Sequence, residues 1–106
     1  MQNTLTDKTV LITGASSGIG AAFAQFLAER GLRVLLTARR EERLRDLVEK
    51  IRKTGGKAAY YSCDLSDLDD RQRLVKTVQE NNDPVDILIN NAGFGWYGYF
   101  RKMSWR

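Results

Sequence analysis

Thr13-Gly14-Ala15-Ser16-Ser17-Gly18-Ile19-Gly20 is the stretch on which the reading turns. Before it stands Val10-Leu11-Ile12, a short apolar run rich in β-branched residues. After it the period changes, and Ile19, Ala22, Phe23, Phe26 and Leu27 fall on one helical stripe. The stretch is therefore a turn from a strand into a helix. Gly14 permits a sharp bend, Gly18 lets the backbone approach a pyrophosphate with no Cβ in the way, and Gly20 lets the helix pack close to the sheet. The helix N-terminus adds free N–H groups and about half a unit of positive charge. Ser16 and Ser17 add hydroxyl donors. The candidate ligand-binding residues of this turn are Gly14, Ser16, Ser17, Gly18, Ile19 and Gly20. The same glycines would serve a tight packing turn without a ligand, but the strand-turn-helix setting favours a diphosphate. No Gly-Lys-Ser/Thr follows, which excludes a nucleoside-triphosphate loop.

Outward from the turn, apolar runs and helical patterns alternate. Gly31 closes the first helix, and Val34-Leu35-Leu36 is the next run. Leu44, Leu47, Val48 and Ile51 repeat a helical stripe that Gly55-Gly56 stops. Ala58 to Ser62 reads as a third strand. Asp67 is an N-cap for a helix carrying Leu74, Val75 and Val78, which ends near Asn81-Asn82 before Pro84. Ile87-Leu88-Ile89 is a fourth strand. The order βαβαβαβ, with strands apolar on both faces, implies an α/β fold: a partial, Rossmann-like doubly wound parallel sheet. Right-handed crossovers place the first two helices on one face as strands 1, 2 and 3 step outward; if the fourth strand returns to pair beside strand 1, the third helix lies on the other face and the strand order is 3-2-1-4. The crevice between strands 1 and 4 is the expected binding place.

Composition removes several alternatives. The chain has 106 residues, with Lys+Arg 17, Asp+Glu 13, one Cys and no His. Ser-His and Cys-His nucleophile pairs and the usual zinc sites are excluded, and the expected metal set is empty. No apolar run approaches the ~20 residues of a membrane span, and the start lacks the pattern of a signal peptide. The expectation is a cytoplasmic, reduced protein bound to no membrane. Ten basic and five acidic residues lie between Glu29 and Lys57, against three basic and seven acidic between Tyr60 and Asn90. The positive excess is thus local. No aromatic residues interleave with it, so nucleic acid is not the expected partner. At the end of strand 2 an NAD site wants a carboxylate for two ribose hydroxyls. The chain reads Thr37-Ala38-Arg39-Arg40 instead, and the forked cation Arg39 suits a 2′-phosphate. NADP is the expected cofactor.

Together, Thr-Gly-x-x-x-Gly-Ile-Gly at 13–20, Cys63-Asp64-Leu65 and Asp86-Ile87-Leu88-Ile89-Asn90-Asn91-Ala92-Gly93 resemble the short-chain dehydrogenase/reductase family. The resemblance runs from about Thr6 to Gly93. It implies an NADP-dependent oxidoreductase that moves a hydride between nicotinamide and an alcohol or carbonyl. It further implies that Asp64 bonds the adenine amine, Leu65 contributes its backbone, and Asn91 lies along the cofactor ribose. Asn90 and Gly93 would brace strand 4 against strand 1, with Ala92 beside them in the cofactor site. Taken as residues alone, Asp64 also reads as a turn or capping residue, Asn90-Asn91 as turn formers and Cys63 as a small buried apolar residue.

The family's chemistry depends on a Tyr-x-x-x-Lys pair, whose lysine lowers the tyrosine pKa. Four residues after Tyr60, Tyr61, Tyr97 and Tyr99 stand Asp64, Leu65, Arg101 and Met103. None fits, so no catalytic residue is assigned. The expectation is a truncated NADP-binding Rossmann domain over residues 1–106, with no second domain, inactive alone; the alternative is a non-catalytic dinucleotide-binding or regulatory module. Strand 4 would then be an open edge. That edge and the aromatic tail Phe94 to Phe100 are the expected routes to a homo-oligomer. The substrate, an alcohol or carbonyl, is not specified by these residues.

Overall fold

The apolar runs are too short for helices and are greasy on both faces, so a sheet covered on each side is what buries them. The computed structural model describes residues 6–16, 18–81 and 84–91. Strands β1 (Thr9–Thr13), β2 (Arg33–Ala38), β3 (Lys57–Ser62) and β4 (Ile87–Asn90) alternate with helices α1 (Gly18–Glu29), α2 (Glu41–Lys53) and α3 (Leu68–Asn81). All pairings are parallel and the order is β3-β2-β1-β4, as the sequence implied. All five residues of β1 are buried. The register aligns Thr13 with Thr37 on one side and Asn90 on the other, so the carboxyl ends of three strands finish level.

Side chains alternate across each strand and feed two cores. On one face Val10, Ile12, Val34 and Leu36 pack with Ala24 and Ala28 of α1 and with Leu44, Val48 and Ile51 of α2. On the other, Leu11 and Leu35 meet Cys63 and the α3 residues Leu74, Val75 and Val78. The helices therefore lie on the faces that the crossover rule assigns them. Among the described residues β4 pairs only with β1, and its four residues are half-buried. No helix among the described residues is long and apolar enough to cross a membrane.

Helix ends follow their local chemistry. At the end of α1 the Leu32 N–H donates to Leu27 O (3.2 Å) and the Gly31 N–H to Ala28 O (3.0 Å). Gly31 takes φ 88° there, a left-handed bend that glycine adopts without Cβ strain. The Asp67 carboxylate accepts from the backbone N–H groups of Asp69 (2.9 Å) and Asp70 (3.4 Å), which makes it the N-cap of α3.

The stripe expected on α1 requires correction. Gly20, Ala24 and Ala28 face the sheet, while Ile19 is 68%, Phe23 43% and Phe26 49% exposed; Leu27 is half-buried against the core. The buried face is turned by about one residue, on the order of 100°, from the one that periodicity picked. The reason is distance. A Cβ on Gly20 would stand 2.5 Å from Gly14 O and 3.0 Å from Ala15 Cα, so the helix approaches the turn too closely for a large side chain.

Candidate functional site

The glycine turn is held by all its neighbours at the carboxyl rim of the sheet. The Ala15 N–H donates to Thr37 O (3.3 Å), tying the turn to the end of β2, and the Cys63 N–H donates to Ala38 O (3.0 Å), tying β3 to the same point. From the other side the Thr13 hydroxyl donates to Asn90 Oδ1 (3.1 Å), and the Asn91 amide to Gly14 O (3.2 Å). Thus Asn90 braces β4 against β1. Gly14 bends at φ 65° and Gly18 at φ 31°. A Cβ built on Gly18 would meet nothing within 4 Å, so the bare backbone at the start of α1 faces open space.

Beside this turn lies a cleft of about 430 Å³. Gly14 and Ser16 form one wall. Ala38, Arg39 and Arg40 supply the second, joined by Arg43 of α2. Cys63, Asp64, Leu65 and Ser66 supply the third. The third wall is built by short-range hydrogen bonds. Asp64 Oδ1 accepts from the Ser66 N–H (3.0 Å) and the Ser66 hydroxyl (2.6 Å), an Asx turn. These bonds, and then the Arg39 charge, hold the Asp64 carboxyl below the usual carboxylate range. Its own N–H donates to Asp70 Oδ2 (2.7 Å), while Asp70 Oδ1 pairs with Arg73. Arg73 foremost, and then the Asp64 N–H, keep Asp70 ionised below its ordinary pKa. The loop after β3 is therefore anchored to the first turn of α3. Cys63 is 2% exposed, and burial pushes its thiol up to about 11.

The structure brings Gly14, Ser16, Arg39, Asp64 and Leu65 together in one cleft. Gly18, Ile19 and Gly20 stand at the helix start beside it, and Asn91 works on the turn itself through Gly14 O. Ser17, Ala92 and Gly93 lie outside the described residues, as does the aromatic tail. Sequence reasoning gave no site role to Arg43, Ser66 or Asp70. Ser66 is legible two residues after Asp64, the spacing of an Asx turn. Arg43 and Asp70 enter through helix geometry that only packing fixes.

A glycine turn opening a helix, at the carboxyl rim of a parallel sheet ordered 3-2-1-4, defines the Rossmann class of dinucleotide-binding folds. The sequence profile described as short chain dehydrogenase matches residues 8–106, and the chain belongs to that family. A short chain dehydrogenase of Pseudocercospora fijiensis is 43% identical over 97 residues, covering 92% of this chain and 31% of that protein. The crystal structure of a metagenomic short-chain oxidoreductase in complex with NADP superposes with a TM-score of 0.81 at 43% identity, over 91% of this chain and 43% of that one. A variant of actinorhodin polyketide ketoreductase with NADPH gives 0.77 at 42% identity, over 83% of this chain and 34% of that one. The chain thus spans well under half the length of these relatives.

Proposed function

We propose that this chain is the cofactor-binding part of an NADP-dependent oxidoreductase, which exchanges a hydride between nicotinamide and an alcohol or carbonyl. The observation that carries the reading is the convergence of the glycine turn, Arg39 and Asp64 on one cleft. Open space over Gly18 suits a diphosphate lying against backbone N–H groups. Ser16 would add a hydroxyl to it, and Ser17, Ala92 and Gly93, which lie outside the described residues, are assigned to the same cofactor site by the family resemblance. Arg39, exposed at the end of β2, would take a ribose 2′-phosphate, with Asp64 and Leu65 bordering the adenine. Asn91 would set the ribose edge by fixing Gly14. The bound cofactor supplies the hydride chemistry. This chain's residues bind and orient it, and without a Tyr-x-x-x-Lys pair they make no proton transfer, so residues 1–106 alone are inactive. The single free thiol, Cys63, suits a reducing, cytoplasmic setting.

The test is fluorescence titration with NADPH and NADH. NADPH is expected to bind more tightly, and Arg39→Ala to narrow the gap by about tenfold, the worth of one charge-assisted bond to phosphate. Equal affinity for the two cofactors, or an unchanged gap in the variant, would overturn the 2′-phosphate assignment.

A further inference from the structure

We propose that Asp70, on the first turn of α3, is a positioning residue for the adenine, one that touches no ligand but fixes the peptide from which Asp64 and Leu65 meet the base. The inference rests on the reading above, in which those two residues border the adenine. Both line the cleft, whereas Asp70 is not part of its wall among the described residues. Asp64 Oδ1 is taken by the Ser66 N–H and hydroxyl. Among the described residues, Asp64 Oδ2 accepts no hydrogen bond and the Leu65 N–H donates none. One acceptor and one donor are left at this wall, the pair that an adenine amine and its neighbouring ring nitrogen require.

The direction of both depends on the peptide that carries them. The Cys63 N–H donates to Ala38 O (3.0 Å), and Asp64 O accepts from the Asp67 N–H (3.1 Å). Between these two backbone bonds, the Asp64 N–H donates to a side chain, Asp70 Oδ2 (2.7 Å), in a short charge-assisted bond. Asp70 is not needed to cap its own helix, because Asp67 already accepts from the first N–H groups of α3. Its carboxylate is held toward the loop by Arg73, whose Nε donates to Oδ1 (3.2 Å), and the Cys63 thiol donates to Asp70 O (3.6 Å). Leu74 and Val75, buried with Leu11 and Leu35 of the sheet, anchor the next turn of α3. Strand end, loop and helix are thus clasped at one residue. A shift of about 1 Å in that peptide moves its donor and acceptor off the base.

Fluorescence titration with NADPH and with its hypoxanthine analogue, which has a carbonyl in place of the amine, reads base recognition apart from the rest of the ligand. The parent is expected to bind NADPH at least about tenfold more tightly than the analogue. In Asp70→Ala that preference should fall about tenfold, through weaker NADPH binding with the analogue little changed. Asp70→Asn should recover part of it, since a carboxamide oxygen accepts the same N–H. Arg73→Gln, a change at a mostly exposed side chain that leaves the fold intact, should lower the preference by about two- to threefold. Asp67→Ala removes the cap of the same helix and is expected to lower the urea midpoint with the base preference unchanged. Equal losses for both ligands, an unchanged preference in Asp70→Ala or Arg73→Gln, or the same collapse in Asp67→Ala would overturn the proposal and leave the dinucleotide reading intact. A parent that binds both ligands equally would remove the adenine from Asp64, and this inference with it; a parent that binds neither would overturn the dinucleotide reading itself.

Discussion

At the scale of single residues, Gly18 and Gly20 stand two places apart and do opposite work. Gly20 is a packing glycine: a methyl group there runs into the Gly14 carbonyl and the Asn91 amide, at 2.5 Å and 2.9 Å. Gly20→Ala is expected to cost about 1–3 kcal/mol of stability, read as a lower urea midpoint, because backbone cannot step aside as a flexible side chain can. Gly18→Ala meets no atoms, but its left-handed φ carries a strain of about 1–2 kcal/mol. Its larger effect should be on NADPH affinity, because the added methyl fills the space over the N–H groups. An unchanged affinity in a folded Gly18→Ala chain would argue against a diphosphate at that turn. Cys63 is governed by burial. With its pKa raised to about 11, the thiol should react with a disulfide reagent at pH 8 far more slowly in the folded chain than in urea.

Elements show where sequence patterns suffice and where they do not. The caps were legible, since Asp67 serves α3 and Gly31 ends α1 through local hydrogen bonds. The orientation of α1 was not. Ile19, Phe23 and Phe26 point outward and Gly20, Ala24 and Ala28 inward, because close approach to the sheet outweighs side-chain size at that contact. Phe23→Ala and Phe26→Ala should each cost under about 1 kcal/mol, against the 3–5 kcal/mol of a buried phenylalanine. A loss in the higher range for either would contradict the exposed face. Phe26 also carries the Arg30 guanidinium 3.4 Å from its ring centroid, an exposed contact worth no more than about 0.5–1 kcal/mol. In α3, Asp70 has a folded pKa below its unfolded value of about 3.9. Its ionised form therefore favours the fold above that pH, and the contribution is lost as pH falls through the folded value. Asp70→Asn should be the less stable chain at pH 7, and urea titrations should show the difference shrinking toward pH 3.

For the whole molecule, the sheet is less completely covered at its β4 side than at its centre. Ile87 and Ile89 on one face and Leu88 on the other are only half-buried. Stability then depends on the centre, where β1 lies between two cores. Ligand binding at the carboxyl rim should add to it by linkage. NADPH at a hundredfold excess over its Kd contributes about 2.7 kcal/mol, which for a chain of this size raises Tm by on the order of 10 °C. Differential scanning calorimetry should show a smaller rise with NADH at the same concentration; identical shifts would remove the case for a phosphate-selective cleft.

The sequence by itself determined the element order, the glycine turn and the cation at the end of β2. Each is written in residues that are neighbours along the chain, where periodicity, caps and turn chemistry act. The tertiary structure alone decided which face of α1 meets the sheet, and that Arg39 and Arg43 line one cleft with Asp64 and Gly14. Those relations join segments tens of residues apart, and only strand register and helix approach set the distance between them.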